Sequence, residues 1–167
     1  MMNTMKVTNI NMNKLNKLDL YSSSYLLAAS KNNIETMKYI EKRFLSKNSY
    51  NIDCSNKEGN NAYLIAAKEG HLDVIKHLEA FNDNVHVKNK NGYDAFLLAS
   101  RYGHLDIVKY LKETHDWDIY ILTKKNYNAM FLASCGNKHS VTNYLENECQ
   151  WHPKNIKNTV GNKCTVQ

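Results

Sequence analysis

Apolar residues in the middle of the chain fall into pairs of short runs. Ala62 to Ala67 form one block, Gly70-His71 interrupts, and Leu72, Val74, Ile75 and Leu78 follow at the i, i+3, i+4 spacing of an apolar helical stripe. The pattern predicts one helix over Asn61 to Glu69 and a second beginning near His71, with Gly70 as the C-cap residue of the first. The small Ala66 and Ala67 permit close helix approach. Each helix is under about 12 residues, too short to be stable alone in water. Such helices must stack on neighbours.

The neighbours are copies of the same pattern. The segment Asn56 to Leu78 recurs as Asn89 to Leu111, with Gly59 and Gly92, Ala66 and Ala99, Gly70 and Gly103, His71 and His104 all displaced by 33 residues. A third copy, Thr123 to Leu145, follows at a displacement of 34. There Asn126 and Asn137 replace the two glycines, a tolerable exchange because Asn enters the left-handed backbone region more readily than other non-glycine residues. An earlier copy runs from Tyr25 to Ile40, and its Ala28 lies 38 residues before Ala66. The excess length falls around Glu41 to Tyr50, where a surface loop is expected. Between units, Asn82 to Gly92 and Glu113 to Asn126 carry the Asn, Asp and Gly of a protruding turn or hairpin. Asn61, Asp94 and Asn128 stand where helix N-caps are needed. Tyr39, Tyr63, Tyr110 and Tyr144 recur at helical positions expected to face the stack.

These residues divide the chain into an N-terminal segment, 1–23, a repeat domain, 24–150, and a tail, 151–167. The units are expected at about 24–50, 56–88, 89–122 and 123–150. Leu15, Leu18 and Leu20 can cover the open apolar side of the first unit, as terminal caps do in stacked arrays. Asn158 to Val166 reads as the opening turn of a further unit that stops before any helix, so the tail is expected to be mobile.

The period and its motifs resemble the ankyrin-repeat family, whose unit is a turn followed by two antiparallel helices. Gly70-His71-Leu72-Asp73-Val74-Ile75-Lys76 and Gly103-His104-Leu105-Asp106-Ile107-Val108-Lys109 are similar to the family's second-helix motif. The family's T-P-L-H tetrad is replaced by Asn61-Ala62-Tyr63-Leu64, Asp94-Ala95-Phe96-Leu97 and Asn128-Ala129-Met130-Phe131, which removes a rigid helix start and a polar tie. The resemblance implies an all-α solenoid of about four helix-turn-helix units with protruding turns. It also implies recognition of a macromolecule on the concave surface by turn tips and first-helix positions. Carried onto this chain, those positions are Lys57, Glu58, Asn60, Lys68 and Glu69, then Lys90, Asn91, Tyr93, Arg101 and Tyr102, then Lys124, Lys125, Tyr127 and Cys135. From Lys90 to Tyr127 the strip is basic with three tyrosines interleaved, and Tyr and Arg are enriched at the centres of interfaces.

Composition narrows the chemistry. Of 167 residues, 43% are hydrophobic and 23% charged, which fits a folded domain, and 6 Gly with 1 Pro favour helices over a many-stranded sheet. No apolar stretch approaches the roughly 18 residues of a membrane span, and the start of the chain lacks a secretory h-region. The net charge of +6 is almost wholly lysine, Arg43 and Arg101 being the only arginines. An acidic protein segment is the expected partner. Nucleic acid is the alternative, and a degenerate repeat protein without a retained partner is another. A monomer is expected. The four cysteines, Cys54, Cys135, Cys149 and Cys164, lack a close CxxC pair and are expected to be unpaired thiols in a reducing, cytoplasmic compartment.

No enzyme is expected. His71 with Asp73 and His104 with Asp106 are the best catalytic or metal-binding candidates among seven histidines. Equivalent residues of stacked units, however, stand about 8–10 Å apart. Zinc needs donors converging at about 2.0–2.1 Å. HExxH, GxSxG and Gly-rich phosphate loops are missing from the sequence, and neither a metal nor a cofactor is expected.

Overall fold

The computed structural model describes residues 20–45, 54–80 and 85–150. Among these residues there are eight helices and no strand. They are α1 over 20–30, α2 Ile34–Leu45, α3 Ala62–Glu69, α4 Leu72–Glu79, α5 Ala95–Tyr102, α6 Leu105–His115, α7 Ala129–Cys135 and α8 His139–Asn147. Helices α3, α5 and α7 stack on one another, each packs against the helix that follows it, and α6 packs against α8. The result is an α-solenoid of helix pairs.

Small residues make the first-helix layer possible. Ala62, Ala66 and Ala67 of α3, Ala95 and Ala99 of α5, and Ala129 and Ala133 of α7 are all buried, so neighbouring backbones come close. Leu64, Leu97 and Leu132 fill the space around them, while Val74, Ile75, Ile107, Val108, Leu111, Val141 and Leu145 form the buried face of the second helices. Burying each such side chain contributes about 1.5–3 kcal/mol. No helix pair could collect that alone.

The ends of the first helices repeat in detail. Asn61, Asp94 and Asn128 accept hydrogen bonds from the Leu64, Leu97 and Phe131 backbone N–H groups at 3.0, 2.9 and 2.7 Å, so all three caps form as expected. Asn32, Gly70, Gly103 and Asn137 close the four first helices with φ of 56°, 85°, 89° and 53°. The next N–H, of Asn33, His71, His104 and Lys138, returns to the carbonyl of Ala28, Ala66, Ala99 and Ala133 at 2.8–2.9 Å. Asn thus replaces Gly where the left-handed conformation is needed but a side chain fits. At Gly70 it does not, because a Cβ would fall 2.5 Å from His104 Nδ1 of the following unit.

Several expectations change. The extra length after the first unit is partly helical, since α2 continues to Leu45; residues 46–53 lie outside the described residues. Likewise α6 runs on to His115 and ends at Asp116 with φ 46°. The next large apolar residue, Trp117, then turns inward and is buried, its Nε1 donating to Asp94 Oδ2 at 3.3 Å. Tyr63 and Tyr144 are buried and Tyr110 half-buried, but Tyr39 is 63% exposed. Tyr110 and Tyr144 lie under Lys76 and Lys109 of the preceding second helix, and Tyr39 has no such helix before it among the described residues. Leu20 is 64% exposed. Leu15, Leu18 and the tail 151–167 lie outside the described residues.

The cysteine expectation also fails in part. Cys149 is a free thiol and Cys54 Sγ donates to the Ser22 carbonyl at 3.7 Å, whereas Cys135 is disulfide-bonded. Pairing depends on two sulfurs meeting in space, which chain spacing does not report. The bond removes one support for a reducing compartment. No helix among the described residues is long and apolar enough to cross a membrane.

Candidate protein-recognition surface

Each unit opens with a turn organised by its first polar side chain. Asn56 Oδ1 accepts from the Glu58 and Asn60 N–H groups at 3.0 and 2.9 Å, and Asn89 Oδ1 accepts from Asn91 and Tyr93, both at 3.0 Å. Thr123 keeps one of these bonds, to the Tyr127 N–H at 3.0 Å. Gly59, Gly92 and Asn126 close the turns with φ of 81°, 80° and 60°. Successive tips are then tied together: the Lys90 N–H reaches the Glu58 carbonyl at 3.1 Å, and the Lys124 N–H reaches that of Asn91 at 3.0 Å. The tips form one rigid row.

Lys57, Lys90, Lys124 and Lys125 are exposed along this row, and Lys90 Nζ also donates to the Lys57 carbonyl at 2.9 Å. Asn60 is a correction. It is 1% exposed, its Oδ1 accepts from Asn89 Nδ2 at 2.8 Å, and its own Nδ2 donates to Glu58 Oε2 at 2.8 Å. It therefore fastens two turns together and presents nothing to a partner. A polar residue at a position occupied by Tyr93 and Tyr127 in the later units was the available signal.

The first-helix positions converge in a different way. Arg101, in the last turn of α5, donates from Nη1 to Tyr93 Oη at 2.7 Å and lies 5.5 Å from the centre of that ring. The same guanidinium is 5.9 Å from the ring of Tyr102, and Lys68 of the preceding unit reaches that ring at 5.6 Å. Such cation–π contacts contribute about 0.5–1 kcal/mol each at exposed sites. The structure thus brings Lys68, Tyr93, Arg101 and Tyr102 into one cluster across two units. Lys124 and Lys125 stand on the next tip, and Tyr127 stacks on Phe131 at 4.7 Å. Phe131 was not singled out from sequence.

Asp94, next to Tyr93 in the chain, is nearly fully buried, and desolvation raises its carboxyl above the ordinary carboxylate range. The Leu97 N–H and the Trp117 indole N–H oppose that shift. His71 and His104 bridge units instead of meeting each other: their Nε2 atoms lie 3.0 Å from the Ser30 carbonyl and 2.8 Å from the Lys68 carbonyl. Among the described residues no group of three or more His, Cys, Asp or Glu could hold a metal ion.

Helix pairs stacked at a constant step, with tied turn tips, are the architecture of an ankyrin solenoid. Two family models match the chain, one described as ankyrin repeats in three copies over residues 65–155, the other as ankyrin repeats in many copies over residues 25–79. The chain belongs to the ankyrin-repeat family. Among solved structures it is similar to a chain of the crystal structure of the yeast ribosomal protein Rps3 in complex with its chaperone Yar1, at 25% identity and a TM-score of 0.63. That similarity covers 79% of this chain and 95% of the other. Comparison with curated proteins returns no match.

Proposed function

We propose that this chain is a non-catalytic recognition module that binds an acidic segment of a protein partner along the concave strip of tips and first helices. The observation that carries this reading is the row of cations without acidic partners. Lys57, Lys90, Lys124, Lys125 and Arg101 form no ion pair among the described residues, and they lie on adjacent, mutually fastened units. Tyr93, Tyr102 and Tyr127 supply contact area between them, and Lys68 adds a further charge. The solved complex that resembles this chain pairs a ribosomal protein with its chaperone, which favours a protein partner here too. In this reading the binding unit is a monomeric, cytoplasmic repeat domain over 24–150, between an N-terminal segment, 1–23, and a tail, 151–167.

The test is capture of partners by the immobilised full chain, with and without nuclease, at low and moderate salt. Reversing charge at Lys90, Arg101 and Lys124 together is expected to abolish capture of a specific protein while leaving helicity unchanged. Undiminished capture by the triple variant removes the strip from the mechanism. Capture of nucleic acid alone, with affinity falling with salt by a log–log slope of about −0.9 per phosphate, moves the reading to a phosphate-binding surface.

A further inference from the structure

The cations of the strip are not equivalent. The tip lysines are exposed, and such charges mostly raise the rate and selectivity of encounter. Arg101 is half-buried, oriented by the Tyr93 hydroxyl at 2.7 Å, and set against two aromatic rings. It is one of only two arginines in the chain, and the other, Arg43, is exposed on α2. No carboxylate lies within ion-pair distance of Arg101 among the described residues. The remaining N–H groups of its planar fork match a carboxylate in two-point geometry, which a lysine cannot reproduce.

The surroundings also set a direction. Lys68 brings a second positive charge to the ring of Tyr102, although Glu69 Oε1 lies 3.8 Å from its Nζ. Glu58 and Glu69 both belong to the unit of Lys68, whereas the unit after that of Arg101 carries Lys124 and Lys125 on its tip. An acidic residue is therefore disfavoured over the carboxylates of the earlier unit and favoured from Arg101 onward. Tyr102 is 40% exposed, which leaves part of its side chain for contact with an apolar group beside that acid.

We propose that Arg101, held by Tyr93 and Tyr102 and assisted by Lys68, is the anchor of the strip and takes one Asp or Glu side chain of an acidic peptide segment with an apolar neighbour. This rests on the strip being the binding surface. The fork binds the carboxylate, Tyr102 receives the neighbouring apolar group, and the lysines of the next tip hold acidic residues that follow.

Fluorescence anisotropy of the full chain with a short labelled peptide of alternating Glu and Leu tests this, against the matched Gln–Leu peptide and a single-stranded oligothymidine. The Glu–Leu peptide is expected to bind and the Gln–Leu peptide to bind at least about tenfold more weakly. Arg101→Lys is expected to cost about tenfold, at moderate as well as low salt, because charge is kept and only the fork is lost. Tyr93→Phe, which frees the guanidinium without removing it, should cost about threefold. If Arg101→Lys binds within about twofold of the parent while the Lys90, Arg101 and Lys124 triple reversal loses binding, the anchor is wrong and the strip stands. Parent-like binding by the triple reversal overturns both. No binding of the Glu–Leu peptide by the parent chain, equal binding of the Gln–Leu peptide, or tighter binding of the oligothymidine also overturns the anchor.

Discussion

Two charged side chains in this molecule, Glu79 and Arg101, sit in opposite circumstances. Glu79, at the end of α4, accepts from Tyr63 Oη at 2.7 Å in its own unit and from Tyr110 Oη at 2.5 Å in the next, and its Oε1 is 3.1 Å from His115 Nε2. Glu41 repeats the arrangement one unit earlier, with Tyr25 Oη at 2.6 Å and His77 Nε2 at 3.0 Å from its carboxylate. Where the third unit exchanges the tyrosine for Phe96, the corresponding acid becomes Lys112, which pairs with Asp116 at 2.6 Å. Arg101 has a hydroxyl and two rings but no acid among the described residues. A charge satisfied from two units joins those units. A charge oriented by its neighbours and left without a counter-ion is available to something else.

If that contrast is right, removing the satisfied acid damages the fold most. Glu79→Ala strands the hydroxyls of Tyr63 and Tyr110 and is expected to cost about 3 kcal/mol in urea unfolding. A loss under about 1 kcal/mol means that water replaces the carboxylate and the seam is not a joint.

The tyrosines of the same seam provide a pH test. Burial, and then the hydrogen bond to Glu79, pushes the Tyr110 phenol up to about 12. Desolvation raises Tyr63 and Tyr25 further, with the bonds to Glu79 and Glu41 acting in the same direction. Above the ordinary phenol value of about 10 the unfolded chain loses these protons first, so it binds fewer protons than the folded chain and stability falls as pH rises. The slope should be about 1.4 kcal/mol per pH unit for each tyrosine that stays protonated when folded. Absorbance titration of tyrosinate should lag in the folded chain, and Tyr63→Phe should remove part of the lag. Coincident titration curves for folded and urea-unfolded chain contradict the seam.

Ser100 separates exposure from lack of a partner. Its hydroxyl is buried in α5 with no hydrogen-bond partner among the described residues, where the matching residues of the earlier units are Ala29 and Ala67. An unsatisfied polar group in the core costs free energy and offers nothing to a ligand. Ser100→Ala is expected to raise stability by up to about 1 kcal/mol without changing peptide binding. At the strip itself, Arg101→Gln gives up two cation–π contacts and the bond to Tyr93, and should cost no more than about 1 kcal/mol of stability while weakening binding. A large loss of stability there would place Arg101 with Glu79, as part of the scaffold.

Much of the scaffold was legible because its causes are local. The 33-residue step, the three N-caps and the left-handed Asn126 and Asn137 follow from residues within a turn of one another. Tyr39, Asn60 and Trp117 were misjudged or overlooked for the opposite reason. Whether Tyr39 is covered depends on a preceding helix, whether Asn60 faces out depends on Asn89, and Trp117 is drawn inward by the second oxygen of Asp94. The candidate surface was legible as a set of positions but not as a cluster. Lys68 and Tyr102 meet across a unit boundary, while Tyr127 is taken up by Phe131.

The residues of one unit determined the helix pair, its caps and its need for neighbours, since those depend on backbone conformation and apolar spacing over a few positions. Only stacking decided which polar groups found partners. The decisive bonds join residues 29, 31 and 36 apart, Asn89 to Asn60, Tyr110 to Glu79 and His115 to Glu79. Contacts at that separation arise from the step between units, and a chain pattern read one unit at a time does not contain them.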